Sequence, residues 1–93
     1  MERVVDHIEH FLDVAGEESV GIGPDWCDYA FDLIAPLNAQ AARPVDTSFG
    51  FPSTLAAPQH LVNLETELVR RGLPAQKILF ENSWRFLIES LPR

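Results

Sequence analysis

Residues 63–87 have the sequence NLETELVRRGLPAQKILFENSWRFL, and this stretch predicts two helices joined by a tight turn. Acidic side chains stand near its start and two arginines precede Gly72, which is the charge order that a helix dipole favours. Asn63 can cap the first helix, or this helix begins earlier, near Pro58. Glycine reaches the positive φ that often follows a helix end. Pro74 suits the first turn of the second helix. We therefore expect helices within residues 58–93.

The second of these helices is apolar around most of its circumference. Four apolar side chains share one face and four more widen it: Ile78, Leu79, Phe86 and Leu87, then Phe80, Trp84, Ile88 and Leu91. A helix that is apolar on nearly all sides normally lies between the layers of a larger body. We expect this helix to be covered.

Upstream, apolar residues at helical spacing predict an amphipathic helix over residues 1–15, which Gly16 can end. The next apolar stretch, residues 19–25, has β-branched residues between glycines and predicts one short strand. Pro24 lacks an N–H group and limits any further pairing. A lone strand cannot satisfy its own backbone hydrogen bonds, so this strand requires partners beyond the other elements predicted here.

The intervening residues 26–57 contain several prolines and scattered aromatic side chains, and they predict a long loop with a possible short helix over residues 29–37. No internal repeat divides the sequence. A chain of 93 residues can form one modest core but not two domains. We therefore treat residues 1–93 as a single unit.

The net charge of -7 is unevenly distributed, because residues 1–32 hold nine acidic side chains and one basic side chain. Such a segment repels phosphate, and the remaining bases form no stripe with aromatic residues, which argues against binding of nucleic acid. The apolar runs are far shorter than the roughly 20 residues of a membrane span. Charged residues follow Met1 at once, without an apolar signal core. We expect a cytoplasmic protein that binds neither nucleic acid nor membrane.

The histidines and the single cysteine offer little chemistry by themselves. His7 and His10 lie one helical turn apart and could share a metal ion with Asp6, or they could simply form a solvated helix face. His60 stands alone. Cys27 cannot form an internal disulfide, and it is either a nucleophile without a histidine nearby in sequence or a small apolar filler. We expect no metal ion to be held by this chain alone.

Asp25 is the strongest candidate for a catalytic residue. It follows the predicted strand, and α/β barrels place their catalytic groups at the carboxyl ends of strands. The alternative is an aspartate that accepts hydrogen bonds from backbone N–H groups in a turn. Local sequence leaves both interpretations open.

Two stretches in this order resemble one known family. Residues 4–26, VVDHIEHFLDVAGEESVGIGPDW, are similar to a helix, loop and last barrel strand, and residues 63–87 are similar to two carboxyl-terminal helices. The second stretch contains a Leu-x-x-Arg-Gly pattern and an Asn-x-x-Arg pair, here Leu68, Arg71 and Gly72 followed by Asn82 and Arg85. The family is that of the renal or membrane dipeptidases, zinc peptidases of the amidohydrolase superfamily.

The resemblance implies an α/β fold, in which this chain forms the carboxyl-terminal segment of a (β/α)₈ barrel and is mainly helical when isolated. It implies dipeptide hydrolysis at a two-zinc centre, with Asp25 handling protons of the bridging water or binding the substrate amine. The family's zinc ligands, a His-x-Asp pair, a bridging carboxylate and two more histidines, have no counterparts in this sequence. Phe80 also replaces a glycine common before the asparagine, and Trp26 begins a departure from the family pattern.

Two functions follow as hypotheses. In the first, the chain is part of a split metallodipeptidase that a larger barrel-forming chain completes with zinc. In the second, it is a non-catalytic module derived from the barrel, which self-associates or binds another protein. We do not expect an independent enzyme, since no set of nucleophile, base and orienting residue can be assembled from the sequence. The substrate-binding residues are unknown.

Overall fold

The computed structural model describes residues 1–26, 28–42 and 52–92, and these residues are mainly helical. Within these ranges four α-helices follow one another, and short 3₁₀ and π-helical turns precede the last two. The helices are α1 (Glu2–Ala15), α2 (Asp28–Ala39), α3 (Leu61–Arg70) and α4 (Asn82–Ser90); the 3₁₀ turns are Ser53–Leu55 and Pro58–His60, and the π-helical turn is Lys77–Glu81.

The first helix, α1, confirms the prediction for residues 1–15. It ends at Gly16, whose φ of 81° lies in the left-handed region that glycine reaches without strain. The Gly16 N–H group donates to the carbonyl oxygen of Leu12 at 2.9 Å and closes the last turn. Val5 and Ile8 are the buried residues of this helix, at the spacing expected for one face.

The third helix, α3, ends as predicted but begins earlier. Gly72 has φ 70°, and the N–H group of Leu73 donates to the carbonyl oxygen of Leu68 at 2.9 Å. Asn63 does not cap the helix, because α3 begins at Leu61. Its side-chain amide instead donates to the carbonyl oxygen of Thr54 at 2.8 Å and fastens α3 to the preceding 3₁₀ turn.

Residues 19–25 do not form the predicted β-strand in the described part of the chain. A strand is defined by hydrogen bonds to a neighbouring strand, and none of the described residues supplies one. The mainly helical character is therefore confirmed, whereas the α/β barrel remains a prediction.

The predicted loop of residues 26–57 contains α2, which confirms the possible helix over residues 29–37. Pro36 lies inside α2 and removes one backbone hydrogen bond from it. The exposed side chains of α2 include Leu33 and Leu37, at 77% and 72%. None of the side chains described for α2, at residues 33–39, is buried in the core.

The core lies where α1 and α3 pack together, closed by the segment after α1 and by the π-helical turn. It is small. Its buried apolar side chains are Val5, Ile8, Val20, Leu55, Leu64, Leu68, Ala75 and Ile78. The radius of gyration is 16.5 Å, against about 12 Å for a compact domain of this length. The molecule is more open than a self-contained domain of its size.

Arg71 ties α1 to the end of α3. Its guanidinium group donates to the carboxylate of Asp6 at 2.6 Å, to Glu9 at 3.4 Å and to Glu67 at 3.0 Å. It also donates to the backbone carbonyl oxygen of Glu2 at 3.2 Å. Hydrogen bonds with Asp6 and then with Glu67 raise the pKa of Arg71 above its ordinary value. The Arg71 side chain thus joins α1 to the end of α3 through a contact with Asp6, 65 residues away in sequence.

Glu67 is held ionised at this junction. Arg70 donates two hydrogen bonds to it, at 2.6 and 2.8 Å, and Arg71 donates a third. The bonds from Arg70, and then those from Arg71, lower the pKa of Glu67 to about 2. A depressed carboxyl pKa stabilises the folded state above the unfolded pKa of about 4.5, and this contribution is lost as the pH falls towards 2.

We predict that Glu67→Gln flattens the loss of stability between about pH 4.5 and pH 2, because glutamine cannot titrate. Urea unfolding at a series of pH values measures this. Glu65→Gln is the matched control on the same helix and should leave the slope near that of the wild type. Equal slopes for wild type and Glu67→Gln would contradict the prediction.

Candidate functional site: Asp25 and the segment held by Asn82

Asn82 holds one end of the segment formed by residues 17–26, which contains Asp25. We refer to these residues as the segment. Its side-chain amide donates to the backbone carbonyl oxygens of Glu17 at 2.7 Å and Val20 at 2.9 Å. Asn82 is only 6% exposed and is the buried polar residue of the described core. Two backbone groups that would otherwise lack a partner are satisfied by one side chain, which sets the path of residues 17–20.

The π-helical turn places Asn82 on the core side of the last helix. The N–H group of Asn82 donates to the carbonyl oxygen of Lys77, five residues earlier. Ile78 and Asn82 are both buried, so this side of the helix faces the core. Turns of this kind are rare and occur frequently at functional sites.

Four charged side chains reinforce this contact. Lys77 donates to Glu17 at 2.8 Å and also to Glu18. Arg85 donates to the Glu18 carboxylate at 2.8 Å and to the Glu18 carbonyl oxygen at 2.5 Å. The hydrogen bond from Lys77 is the main cause that lowers the pKa of Glu18, and Arg85 adds to it. Hydrogen bonds to Glu17 and then to Glu18 raise the pKa of Lys77.

The segment passes close to the last helix at Gly21. A Cβ atom at this position would lie 3.1 Å from the Ser83 hydroxyl oxygen, tighter than an ordinary van der Waals contact. Further along, the indole N–H of Trp26 donates to the carbonyl oxygen of Leu55 at 3.1 Å. The segment is therefore anchored at both ends, by Asn82 at one end and by Trp26 at the other.

Between these anchors, residues 21–25 make no backbone–backbone hydrogen bond to any other described residue. Such a stretch presents unpaired N–H and C=O groups, as the edge of a sheet does. It can pair with a strand supplied from outside the described residues.

Asp25 lies at the end of this stretch, exposed and in an unusual backbone conformation. Its φ is 55°, and it is the residue other than glycine with positive φ in the described part of the chain. Aspartate adopts this region more readily than most residues, although it costs roughly 1 kcal/mol. Its carboxylate accepts no hydrogen bond from a described residue. Residues held in sparsely populated conformations cluster at functional sites.

An open groove runs between the segment and α4, with a volume of about 550 Å³. Glu18, Arg85 and Glu89 supply its charged groups. Its other lining residues are Ser19, Val20, Gly21, Asn82, Ser83, Phe86 and Leu87. Asp25 is not among the lining residues, so the groove and the candidate catalytic carboxylate occupy different places.

The other candidates from sequence do not assemble into a site. Asp6 is bonded to Arg71, while His7 and His10 are exposed on α1. The described residues include no group of three or more His, Cys, Asp or Glu side chains positioned to hold a metal ion. Nδ1 of His60 is buried without a hydrogen-bond partner in the described part of the chain. Cys27 lies outside the described residues.

Sequence reasoning singled out Asn82 and Arg85 through the family resemblance, but it missed Glu17, Glu18 and Lys77. A signal for these three was present in the charges, since the first third of the chain is acidic and the last third contains most of the bases. Charge balance alone does not tell which acid meets which base, and so the pairing required the fold.

We predict that Asn82→Asp destabilises the chain by about 1–3 kcal/mol, because a carboxylate cannot donate to the two carbonyl oxygens and both lose their partner. Urea unfolding measures the loss, and a glutamate-specific protease should cut faster after residues 17 and 18. Asn63→Asp, which removes an exposed donor, is the control and should cost less. Equal losses of unfolding free energy for the two variants would show that the buried hydrogen bonds of Asn82 contribute no more than an exposed one.

Comparison of the chain with protein-family models, with curated proteins and with solved structures gives no match. No helix in the described residues combines the length and apolar character needed to cross a membrane. Function must therefore be argued from the residues and their geometry.

Proposed function

We propose that this chain is the carboxyl-terminal part of a dipeptidase-like metal-dependent barrel, in which residues 19–25 join a sheet and Asp25 acts at the active site. One observation carries the proposal. The segment is fixed by Asn82, lacks strand partners among the described residues, and ends at an exposed, conformationally constrained carboxylate. This is the arrangement that a barrel strand and its terminal catalytic residue require.

The family resemblance gains support from the structural role of its motifs. Arg71 and Gly72 end α3 and join it to α1, while Asn82 and Arg85 hold the segment before Asp25. Residues that position a catalytic strand are the ones that a barrel would keep.

Strand pairing also gives the proposal an energetic reason. Each backbone group buried without a partner costs on the order of 1–3 kcal/mol. The unpaired groups of residues 21–25 must therefore stay in water or meet a neighbouring strand. A larger barrel-forming chain offers such strands on both sides.

The described residues do not form a zinc site, so the metal ligands belong to the rest of the barrel in this proposal. Zinc supplies an activated water and polarises the peptide carbonyl group. Asp25 would accept a proton from the attacking water at a carboxylate oxygen, or bind the amino group of the dipeptide. The hydrogen bond from Trp26 to Leu55 anchors the backbone next to Asp25.

We predict that Asp25→Asn lowers kcat/KM for dipeptides, including those with a D-configured carboxyl-terminal residue, by about 10²- to 10⁴-fold in the zinc-loaded complex with the larger chain. Asparagine tolerates the same positive φ, so assembly should be unchanged. Hydrolysis assays and native mass on the same samples give both readouts.

Asp13→Asn is the matched control, because Asp13 is an exposed aspartate on α1 and its change removes the same charge. Its complex should keep wild-type kcat/KM within about twofold. If no larger barrel-forming chain binds, or if the Asp25→Asn complex keeps its activity, the proposal is wrong.

The second candidate is a non-catalytic interaction module. Large apolar side chains on α2 and α4 are 45–77% exposed, and surfaces of this kind usually meet a partner. Under this candidate, Asp25→Asn changes neither assembly nor function. The two candidates are thus separated by one variant.

A further inference from the structure

A stripe of apolar side chains runs along the outer face of the last helix. We call it the α4 stripe; its members are Phe80, Trp84, Leu87, Ile88 and Leu91, and each is 45–60% exposed. The rings of Phe80 and Trp84 stack with centroids 5.9 Å apart and planes inclined by 16°, which confirms that they share a face. The stripe contains no charged residue.

The α4 stripe faces away from the core. At about 100° per residue, Trp84, Leu87 and Ile88 share one side of α4, while Phe80 in the π-helical turn and Leu91 just after the helix extend the stripe at its two ends. Ile78, Asn82 and Arg85 fall on the opposite side, where the first two are buried and the third contacts Glu18.

Spacing along the stripe favours another helix as its occupant. Phe80, Trp84, Leu87 and Leu91 recur at intervals of four, three and four residues, which is the alternation found along the seam of two packed helices. The seam is less than two heptads long. It therefore suits a single helix of similar length rather than an extended coiled coil.

The area of the stripe matches a small dimer. A large apolar side chain offers on the order of 200 Å² when fully exposed, so the five together leave on the order of 500 Å² open. Two copies would together bury roughly 1,000 Å², which is at the lower limit of specific interfaces. We therefore expect weak association.

The stripe is also complementary to itself when two copies run antiparallel. Its amino-terminal half is aromatic, with Phe80 and Trp84, and its carboxyl-terminal half is aliphatic. Antiparallel pairing places the large rings of each copy against the smaller side chains of the other, and it sets the helix dipoles in opposite directions. Such a two-fold contact closes on itself and forms a dimer, not a filament.

We infer that the α4 stripe is a homodimer interface, on which the same stripe of a second copy packs in antiparallel orientation. The inference gives the second candidate function a surface and a partner. It does not depend on the dipeptidase proposal, because the side chains that hold residues 17–20 to the last helix, Lys77, Asn82 and Arg85, are not members of the stripe.

Sedimentation equilibrium of the complete chain over a concentration series tests the interface. The mean mass should rise from that of one chain to that of two, with a dissociation constant on the order of 10–100 μM. Added salt should strengthen the dimer, because each copy carries a net charge of -7 and screening weakens their repulsion.

The double variant Leu87→Glu with Leu91→Glu should raise the dissociation constant at least tenfold, since it buries charges without partners. The matched control is Val62→Glu with Val69→Glu, two residues of α3 that are 58% and 63% exposed and lie outside the stripe. This control adds the same charge and should dimerise within about threefold of the wild type. Far-UV circular dichroism verifies that both variants keep their helices.

Three results would overturn the inference. The first is a wild-type chain that stays monomeric at the highest concentration, which needs no variant to interpret. The second is an assembly of more than two copies, and the third is equal weakening by both double variants. A dimer without dipeptidase activity in the zinc-loaded complex would contradict only the catalytic proposal.

Discussion

The side-chain amide of Asn82 makes the contact on which the rest of this structure depends. It donates to the carbonyl oxygens of Glu17 and Val20 from a buried position, and thereby joins the end of the chain to the segment after α1. The Val20 side chain lies in the core. Beyond it the chain continues to Asp25, and the hydrogen bond from Trp26 to the carbonyl oxygen of Leu55 anchors the residue that follows. A buried amide is costly unless its hydrogen bonds are satisfied, so the contact specifies one arrangement of these elements.

Around this contact, ion pairs add further links between the first and the last third of the chain. The acidic first third of the chain meets bases from the last third at two junctions, one at Arg71 and one at Lys77 and Arg85. Exposed ion pairs individually contribute little, but those at Arg71 and Glu67 form a network with several hydrogen bonds. Part of the uneven charge of the sequence is thus explained by acidic residues that pair with basic residues of the same chain.

The two functional hypotheses involve different residues of the last helix. Its Asn82 side holds the segment that ends at Asp25, while its outer side carries the α4 stripe. A catalytic role would use the first side, because the segment that Asn82 holds leads on to Asp25. Association between copies would use the second, because burial of the exposed aromatic and aliphatic surface favours a partner.

The sequence by itself determined the elements whose signals are local. α1 and α3 end at Gly16 and Gly72 because a positive φ there is easily reached only by glycine, and the periodic apolar residues of α1 identify its buried face. Tertiary structure decided the rest: residues 19–25 form no strand since none of the described residues pairs with them, and α4 buries Asn82 while its apolar stripe stays exposed. Periodicity shows which side chains share a face, but burial and strand pairing depend on which neighbour lies against that face.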